Sequence, residues 1–394
     1  MHNLCIHFVL SQPTRLRNYR FFDINSRHDY FDEYQNHYLT NRIADLSYRP
    51  LNTLMLELIA QYGNKVAFSF SVAGNTLKMF QEYCPEMIDS FQKLILAGQT
   101  EFVGSTFTNS LASLYDKSTF LEQIHHQEGL LKELFGLHPT SFCNTACIYS
   151  DEIGEWLHEA DYDTVLTEGA RHILGWKHPG FLYCNPYNTN QKLVLRNSSL
   201  CNDIEFNFQN QSWDQFPLTA EKYLHFIHSC PKKVPLTNLY FDYEMFGETH
   251  RKESGIFDFF KAFCELVANS DDIQMITPSQ IESLSLPTAT MHAPWAISVS
   301  GEEKDTSEWL GNELQQEAFN QLFKLTELYT KSDNEKAKRA WLLLQSADHF
   351  NYMGSQWISH PSVKRNFDVY PSPYQAFINF MNVLNDVKLQ LEKA

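Results

Sequence analysis

The sequence has no run of about 20 apolar residues, no basic stripe and no metal-binding cysteine spacing. Without a long apolar run, no membrane-spanning helix is expected. Acidic side chains outnumber basic ones by 47 to 31, and the net charge is −16. Nucleic acids and anionic membrane surfaces are therefore poor candidates as partners. The eight cysteines are scattered without a CxxC pair, which indicates buried free thiols and no metal site.

Several catalytic signatures are also missing. There is no GxSxG nucleophile elbow, no Walker loop and no dinucleotide-binding glycine fingerprint, so no cofactor is expected. The N-terminal stretch MHNLCIHFVL lacks a basic region and a small-residue cleavage site, and it predicts a first strand instead of a signal peptide. We therefore expect a soluble, cytoplasmic protein. Its hydrophobic content of 43% is ample for a large core.

What the sequence does contain is an alternation of short β-rich runs and amphipathic helical segments through about residue 285. This alternation indicates a parallel sheet, and seven or eight strands favour a barrel over a doubly wound fold. Amphipathic helices follow from about residue 290. We therefore predict a barrel domain over residues 1–289 and a helical region over residues 290–394 that packs on it. The principal strand candidates are LCIHFVL, KVAFSFSV, TEFVGS, TSFCNTA, DTVLTEG, KLVLRNS and TNLYFDYE.

Functional residues of such a barrel lie at the C-terminal ends of its strands. Asp242 in LYFDYEMFGE follows an apolar strand, and Glu244 comes two residues later. A carboxylate there is costly to bury unless it has partners or a task, although a structural ion pair or a helix cap would also explain it. The adjacent Asp348 and His349 resemble an acid/base pair. No further ligand stands at a recognisable spacing from them, so we predict no metal.

A second group of candidates consists of binding residues. Tyr149, Trp176 and Trp213 are predicted sugar-stacking platforms, with core packing as the alternative for each. The strongest of the three is Trp213, which falls in the loop-like stretch NQSWDQF. Gln12, which follows the first strand, is a further candidate for contact with a ligand, as are Glu244, Asp348 and His349.

Several longer motifs resemble the α-amylases of glycoside hydrolase family 57, in the right order and over nearly the whole chain. The resemblance implies an incomplete (β/α)7 barrel followed by a C-terminal helical region that helps to close the active site. It also implies α-glucan or maltooligosaccharide as the ligand and a retaining mechanism without a metal. The motifs are NTACIYSDEIG, LTEGARHILGWKHP, LYFDYEMFGETH, EWLGNELQQEAF and LQSADHFNYM.

The same resemblance assigns the general acid/base to Asp242 of the DYE motif. A retaining enzyme needs a second carboxylate as nucleophile, and the family supplies it as the Glu of NTELIY. This chain reads NTACIY, so Ala146 occupies that position. Ser11 replaces the His of the family's HQP motif, and Ser105 and Asn109 replace the Glu and His of AETYSHS. Four changed positions together indicate the loss of hydrolytic chemistry.

Three interpretations follow from these changes. The first is an α-amylase-like protein that is catalytically impaired and binds α-glucan. The second is an active retaining or inverting α-glucan hydrolase or glucanotransferase that uses Asp242 with a displaced carboxylate. Glu244 shares a strand face with Asp242, whereas helix capping accounts for Asp151 and Glu152. The third is a non-enzymatic interaction protein.

Overall fold

The computed structural model describes residues 1–231, 233–284, 286, 288–354 and 370–393 as a mixed α/β protein. Most of its strands run parallel, and they have the short, buried character that the sequence pattern predicts. In chain order the strands are β1 (His2–Leu10), β2 (Phe68–Val72), β3 (Thr100–Phe102), β4 (Ser141–Cys143), β5 (Thr164–Glu168), β6 (Leu182–Cys184), β7 (Lys192–Arg196), β8 (Leu236–Asp242), β9 (Ile273–Met275) and β10 (Thr288–Thr290).

Seven of these strands form a closed parallel ring in the order β3, β2, β1, β8, β7, β5, β4. The ring closes between β3 and β4 through a parallel bridge from Gly104 to Phe142. The remaining strands are accessory. β6 pairs antiparallel with β7, whereas β9 pairs parallel with the start of β1 and β10 pairs parallel with β6. The expected (β/α)7 barrel, which is incomplete only in having seven strands instead of eight, is thus confirmed.

Glycine is required at the closing bridge. The Gly104 amide donates to the Ser141 carbonyl at 2.8 Å, and its own carbonyl accepts from the Cys143 amide at 2.9 Å. A Cβ at position 104 would lie only 2.7 Å from the hydroxyl oxygen of Tyr162. Tyr162 is fully buried and donates to Glu128 at 2.7 Å, so its ring has little room to move.

Helices surround the barrel and continue beyond it. Those before residue 290 connect the barrel strands, and the later ones confirm the predicted C-terminal helices. The helices are α1 (Glu33–Ile43), α2 (Arg49–Tyr62), α3 (Gly74–Tyr83), α4 (Glu86–Leu96), α5 (Lys117–Phe135), α6 (Asp151–Glu159), α7 (Arg171–Leu174), α8 (Ser198–Glu205), α9 (Ala220–His228), α10 (Ile256–Ala268), α11 (Ser307–Leu310), α12 (Glu313–Phe323), α13 (Thr326–Lys331), α14 (Glu335–Leu344), α15 (Ala347–Asn351) and α16 (Pro373–Glu392).

The division at residue 290 stays a prediction, and residues 355–369 of the predicted helical region lie outside the described residues. No helix within the described ranges is long and apolar enough to cross a membrane.

The chain after residue 290 is bonded directly to the loops that follow β3 and β4. Tyr149 and Ile297 exchange backbone hydrogen bonds of 3.0 and 2.9 Å. The Ala347 amide donates to the Asn109 carbonyl at 2.9 Å. These bonds hold the C-terminal helices over the strand ends, where the family motifs place the chemistry.

We predict that Gly104→Ala lowers the free energy of unfolding by about 1–3 kcal/mol, the usual cost of overpacking a filled interior. The matched control is Gly129→Ala in α5, where an added Cβ meets nothing within 4 Å. Because residue 129 is an exposed helical position, Gly129→Ala should instead raise the free energy of unfolding by about 0.5–1 kcal/mol. Chemical denaturation of the three proteins measures both effects, and equal losses in the two variants would contradict this role of Gly104.

Candidate active site

Strand β8 ends at Asp242, whose carboxylate projects beyond the barrel edge. The side chain is exposed to solvent, and no hydrogen bond or ion pair to its carboxylate exists among the described residues. The surrounding protein nevertheless raises the pKa of Asp242 to about 8. Burial among neighbouring atoms is the largest cause, followed by the negative charges of Glu205 and Glu244. Neighbouring atoms thus remove part of the water around a carboxylate that remains open to solvent.

Glu244 lies in the 3₁₀ turn after β8, and one oxygen of its carboxylate accepts two hydrogen bonds. Its Oε1 accepts from Gln12 Nε2 at 2.9 Å and from the Tyr48 hydroxyl. Gln12 Oε1 in turn accepts from Arg15 Nη2 at 3.0 Å. Burial raises the pKa of Glu244, whereas the Tyr48 and Gln12 hydrogen bonds oppose the rise. Glu244 therefore anchors a buried network, and Gln12, itself buried, is committed to that network.

The turn that follows β4 carries Ala146 in an unusual backbone conformation. Ala146 has φ 47° and ψ 34°, and Cys147 has φ 54°, so two successive non-glycine residues are left-handed. Asn144 braces the turn, because its side chain accepts from the Thr145 amide at 2.9 Å and donates to the Ile148 carbonyl at 2.9 Å. Such conformations persist where the surrounding structure enforces them, often at functional sites. Here the backbone is held in place while the side chain is only a methyl group.

The other substituted positions also lack ionisable groups. The hydroxyl of Ser105 is buried without a hydrogen-bond partner. Asn109 is left-handed, with φ 55°, and it supports α15 through its carbonyl. Ser11 is half-buried at the end of β1. None of these residues supplies a carboxylate that faces Asp242.

A buried ion pair fills the space beyond β5 and β7. Arg196 Nη1 lies 3.4 Å from Glu168 Oε2, and Arg196 Nη2 lies 3.0 Å from Glu205 Oε2. Glu168 is fully buried and also accepts from the Ser198 hydroxyl. Glu168 is thus a structural ion-pair partner.

Glu205 was not predicted from the sequence. It is half-buried, burial raises its pKa, and its charge acts on Asp242. A local signal did exist, because Glu205 is the last residue of α8 and an acid at a helix C-terminus is unfavourable. The other acids considered from sequence are placed elsewhere: Asp151 accepts from the Ala293 amide at 2.9 Å and pairs with His292, and Glu152 is exposed on α6.

Asp348 and His349, adjacent in sequence, have different surroundings. The charge of Asp348 contributes to the raised pKa of both Asp242 and Glu244, so Asp348 belongs to the same group of carboxylates. His349 packs against Phe380, and burial lowers its pKa to about 4. Within the part of the chain that is described, no three metal-ligating side chains come together.

The three predicted stacking residues also differ. Tyr149 is fully buried, and its hydroxyl accepts from Asn185 at 3.0 Å, so the ring has no face open to a ligand. Trp213 is half-buried against the barrel core and Phe226. Trp176 is 93% exposed and is the most accessible of the three.

Comparisons with known proteins agree with this architecture. The model of glycosyl hydrolase family 57 matches residues 6–299. A protein of Methanocaldococcus jannaschii described as "Putative alpha-amylase" is 31% identical over 406 residues, which cover 99% of this chain and 85% of that protein.

Two solved structures share the fold. One is a branching enzyme of the same family from Thermococcus kodakaraensis, with a TM-score of 0.68, 13% identity and coverage of 89% of this chain and 86% of that one. The other is the α-amylase AmyC from Thermotoga maritima, with a TM-score of 0.64, 15% identity and coverage of 98% and 92%.

We predict that the Asp242 carboxyl titrates well above the usual value of about 3.9. Between about pH 4 and pH 8, the folded protein holds a proton that the unfolded chain has released. The stabilisation that this proton gives the folded state is therefore fully present below about pH 4 and is lost as the pH rises towards 8. Carboxyl-carbon NMR titration measures the pKa directly. Glu205→Gln should lower it by removing a nearby charge, whereas Glu152→Gln on the exposed face of α6 should not. An ordinary pKa for Asp242 in the wild type would refute this electrostatic description.

Proposed function

This chain belongs to glycosyl hydrolase family 57, and we propose that it binds α-glucan or maltooligosaccharide at the barrel edge without hydrolysing it. One observation supports the proposal above the others: the turn after β4 keeps a braced, left-handed backbone at Ala146, but this position offers no nucleophile to pair with Asp242. A retaining mechanism needs two carboxyl groups about 5–5.5 Å apart. Without the second group, the reaction cannot form its covalent intermediate.

The polar groups at the barrel edge other than the missing nucleophile favour binding of a sugar. Burial and the charges of Glu205, Glu244 and Asp348 together favour the protonated form of Asp242. A neutral carboxyl group can both donate to and accept from a sugar hydroxyl. The solved branching enzyme that shares this fold is in complex with glucose, which is consistent with a carbohydrate ligand here.

A second candidate function rests on Glu205. In an inverting hydrolase, Asp242 would donate a proton to the departing glycosidic oxygen. Glu205 would remove a proton from water attacking the opposite face of the sugar, if the two carboxyls lay about 6.5–9.5 Å apart. The ion pair between Glu205 and Arg196, at 3.0 Å, weakens Glu205 as a base because it stabilises the charged carboxylate.

The function is tested by measuring binding and turnover on the same preparation. We expect calorimetry to detect maltoheptaose binding with a Kd of about 1 μM to 1 mM. Asp242→Phe should weaken binding at the barrel edge, because a bulky ring at this exposed position fills the space without disturbing a packed core. If neither starch nor any maltooligosaccharide binds, the chain is better described as an interaction protein.

The same samples should show no cleavage or transfer of oligosaccharide above background. Wild type, Asp242→Ala and Glu205→Gln should be indistinguishable in a sensitive product assay. General acid catalysis contributes about 10²–10⁴-fold to a rate, but only when an attacking group is held opposite the acid. Turnover that disappears in both variants would establish the inverting alternative instead.

Rebuilding the site tests whether Ala146 is the only defect. We predict that Ala146→Glu alone restores little activity, because Ser11, Ser105 and Asn109 also differ from the family motifs. A misplacement of about 1 Å can cost about 10²-fold in rate. The combined variant Ala146→Glu, Ser11→His, Ser105→Glu, Asn109→His should therefore exceed the single change by at least about tenfold in turnover. Equal activity in both would show that the nucleophile alone was missing.

A further inference from the structure

The segment between β1 and α1 is bonded tightly to the C-terminal helix α16. Asp386 is fully buried and accepts three hydrogen bonds from this segment. They come from the Tyr30 hydroxyl at 2.6 Å, from His28 Nδ1 at 2.7 Å and from the Asn25 amide at 2.5 Å. A buried carboxylate with three donors is a strong anchor, because losing any of them would leave charge unsatisfied.

Two asparagines of α16 extend this attachment. Asn379 accepts from the Tyr19 amide at 2.6 Å and donates to the Arg17 carbonyl at 3.0 Å. Asn382 donates to the Tyr19 carbonyl at 3.1 Å. Together with Asp386, these residues recur three and four positions apart, so they present one face of α16 to the segment. The backbone from about residue 17 to residue 30 is therefore held rigidly.

This rigid segment displays apolar rings to solvent. Phe21 and Phe22 are 71% and 88% exposed, and their ring centres lie 5.8 Å apart. Ile378 of α16 is 57% exposed. Single exposed apolar residues are ordinary, but a cluster on a firmly anchored backbone marks a contact surface.

A groove of about 830 Å³ lies along the junction between the segment and α16, and we refer to it as the α16 groove. Phe21 and Ile378 line it together with the amide side chains of Asn18, Gln35 and Gln375. None of these three amides has a side-chain hydrogen-bond partner among the described residues, and their donors and acceptors remain available.

The groove carries almost no net charge, although the chain as a whole carries −16. Arg20 and Asp32 are the charged residues that line it, and their charges cancel. Aromatic rings beside uncommitted amides fit the apolar faces and hydroxyl edges of a neutral sugar. The volume is within the range of about 300–1,000 Å³ that is typical of ligand sites.

We propose that the α16 groove is a second α-glucan-binding site, separate from the barrel edge. The proposal rests on the proposed function for the identity of the sugar. It does not depend on catalysis, because no lining residue belongs to the carboxylate group around Asp242. A long glucan chain held here would keep the protein attached to its ligand while the barrel edge engages a second stretch.

The test is binding of the full chain to maltoheptaose and to insoluble starch. Wild type should bind two maltoheptaose molecules per chain. The variants Phe21→Ala and Gln375→Ala should each bind one, and each should lose at least about tenfold in starch affinity, about 1.4 kcal/mol. Neither side chain forms a hydrogen bond that holds the segment, so unchanged thermal unfolding checks the fold. Tyr187→Ala, at an exposed ring outside the groove, is the matched control and should bind as wild type does.

The barrel-edge variant Asp242→Phe separates the groove proposal from the proposed function. If the α16 groove binds glucan, Asp242→Phe retains starch binding and one of the two maltoheptaose sites. If Asp242→Phe removes all binding while Phe21→Ala has no effect, the groove proposal is wrong and the proposed function stands. If wild type binds no glucan, both fail. Sedimentation could instead show that the wild type is a dimer and that Phe21→Ala dissociates it without changing starch binding. That result would identify the groove as an interface between two copies and overturn the proposal.

Discussion

The backbone bridge between Gly104 and Phe142 is the contact on which the arrangement of the site depends. It joins β3 to β4 and so closes the seven-stranded ring. Ser105 lies three residues after β3, and Ala146 lies three residues after β4, so this closure brings two of the four positions singled out by the family resemblance to the same edge of the barrel. A side chain at residue 104 would clash with Tyr162, which occupies the adjacent space. The geometry of the site is therefore fixed by backbone pairing, independently of the side chains that would perform catalysis.

Under the proposed function, this independence explains how the site keeps its shape without a nucleophile. Asn144 satisfies the backbone of the left-handed turn at Ala146, and the Val299 amide donates to the Ala146 carbonyl at 2.9 Å. The turn is thus stabilised by groups that make no use of the residue 146 side chain. The turn therefore keeps its shape with only a methyl group at residue 146, although a left-handed alanine costs about 1–3 kcal/mol.

The sequence predicts those features that have a local signature. Apolar strand runs and their order predict the barrel, and the DYE motif predicts Asp242 at the end of β8. Contacts between distant segments have no such signature. The Gln12 bond to Glu244 spans 232 positions, and the Tyr30 bond to Asp386 spans 356. Tyr149 shows the same limitation, because its aromatic character suits a sugar platform and a buried core equally, and only the packing decides between them.

Under the proposed function, the electrostatics of the barrel edge give Asp242 a role that needs no nucleophile. Burial and the charges of Glu205, Glu244 and Asp348 favour its protonated form, against the opposing effect of Arg196. In a catalytic pair, such a proton would be delivered to the glycosidic oxygen. Without a partner carboxylate, the same neutral group is a hydrogen-bonding contact for hydroxyls, and it requires no counter-ion from an uncharged ligand. Under the proposed function, the raised pKa that would suit a catalytic acid makes Asp242 compatible with binding a neutral sugar.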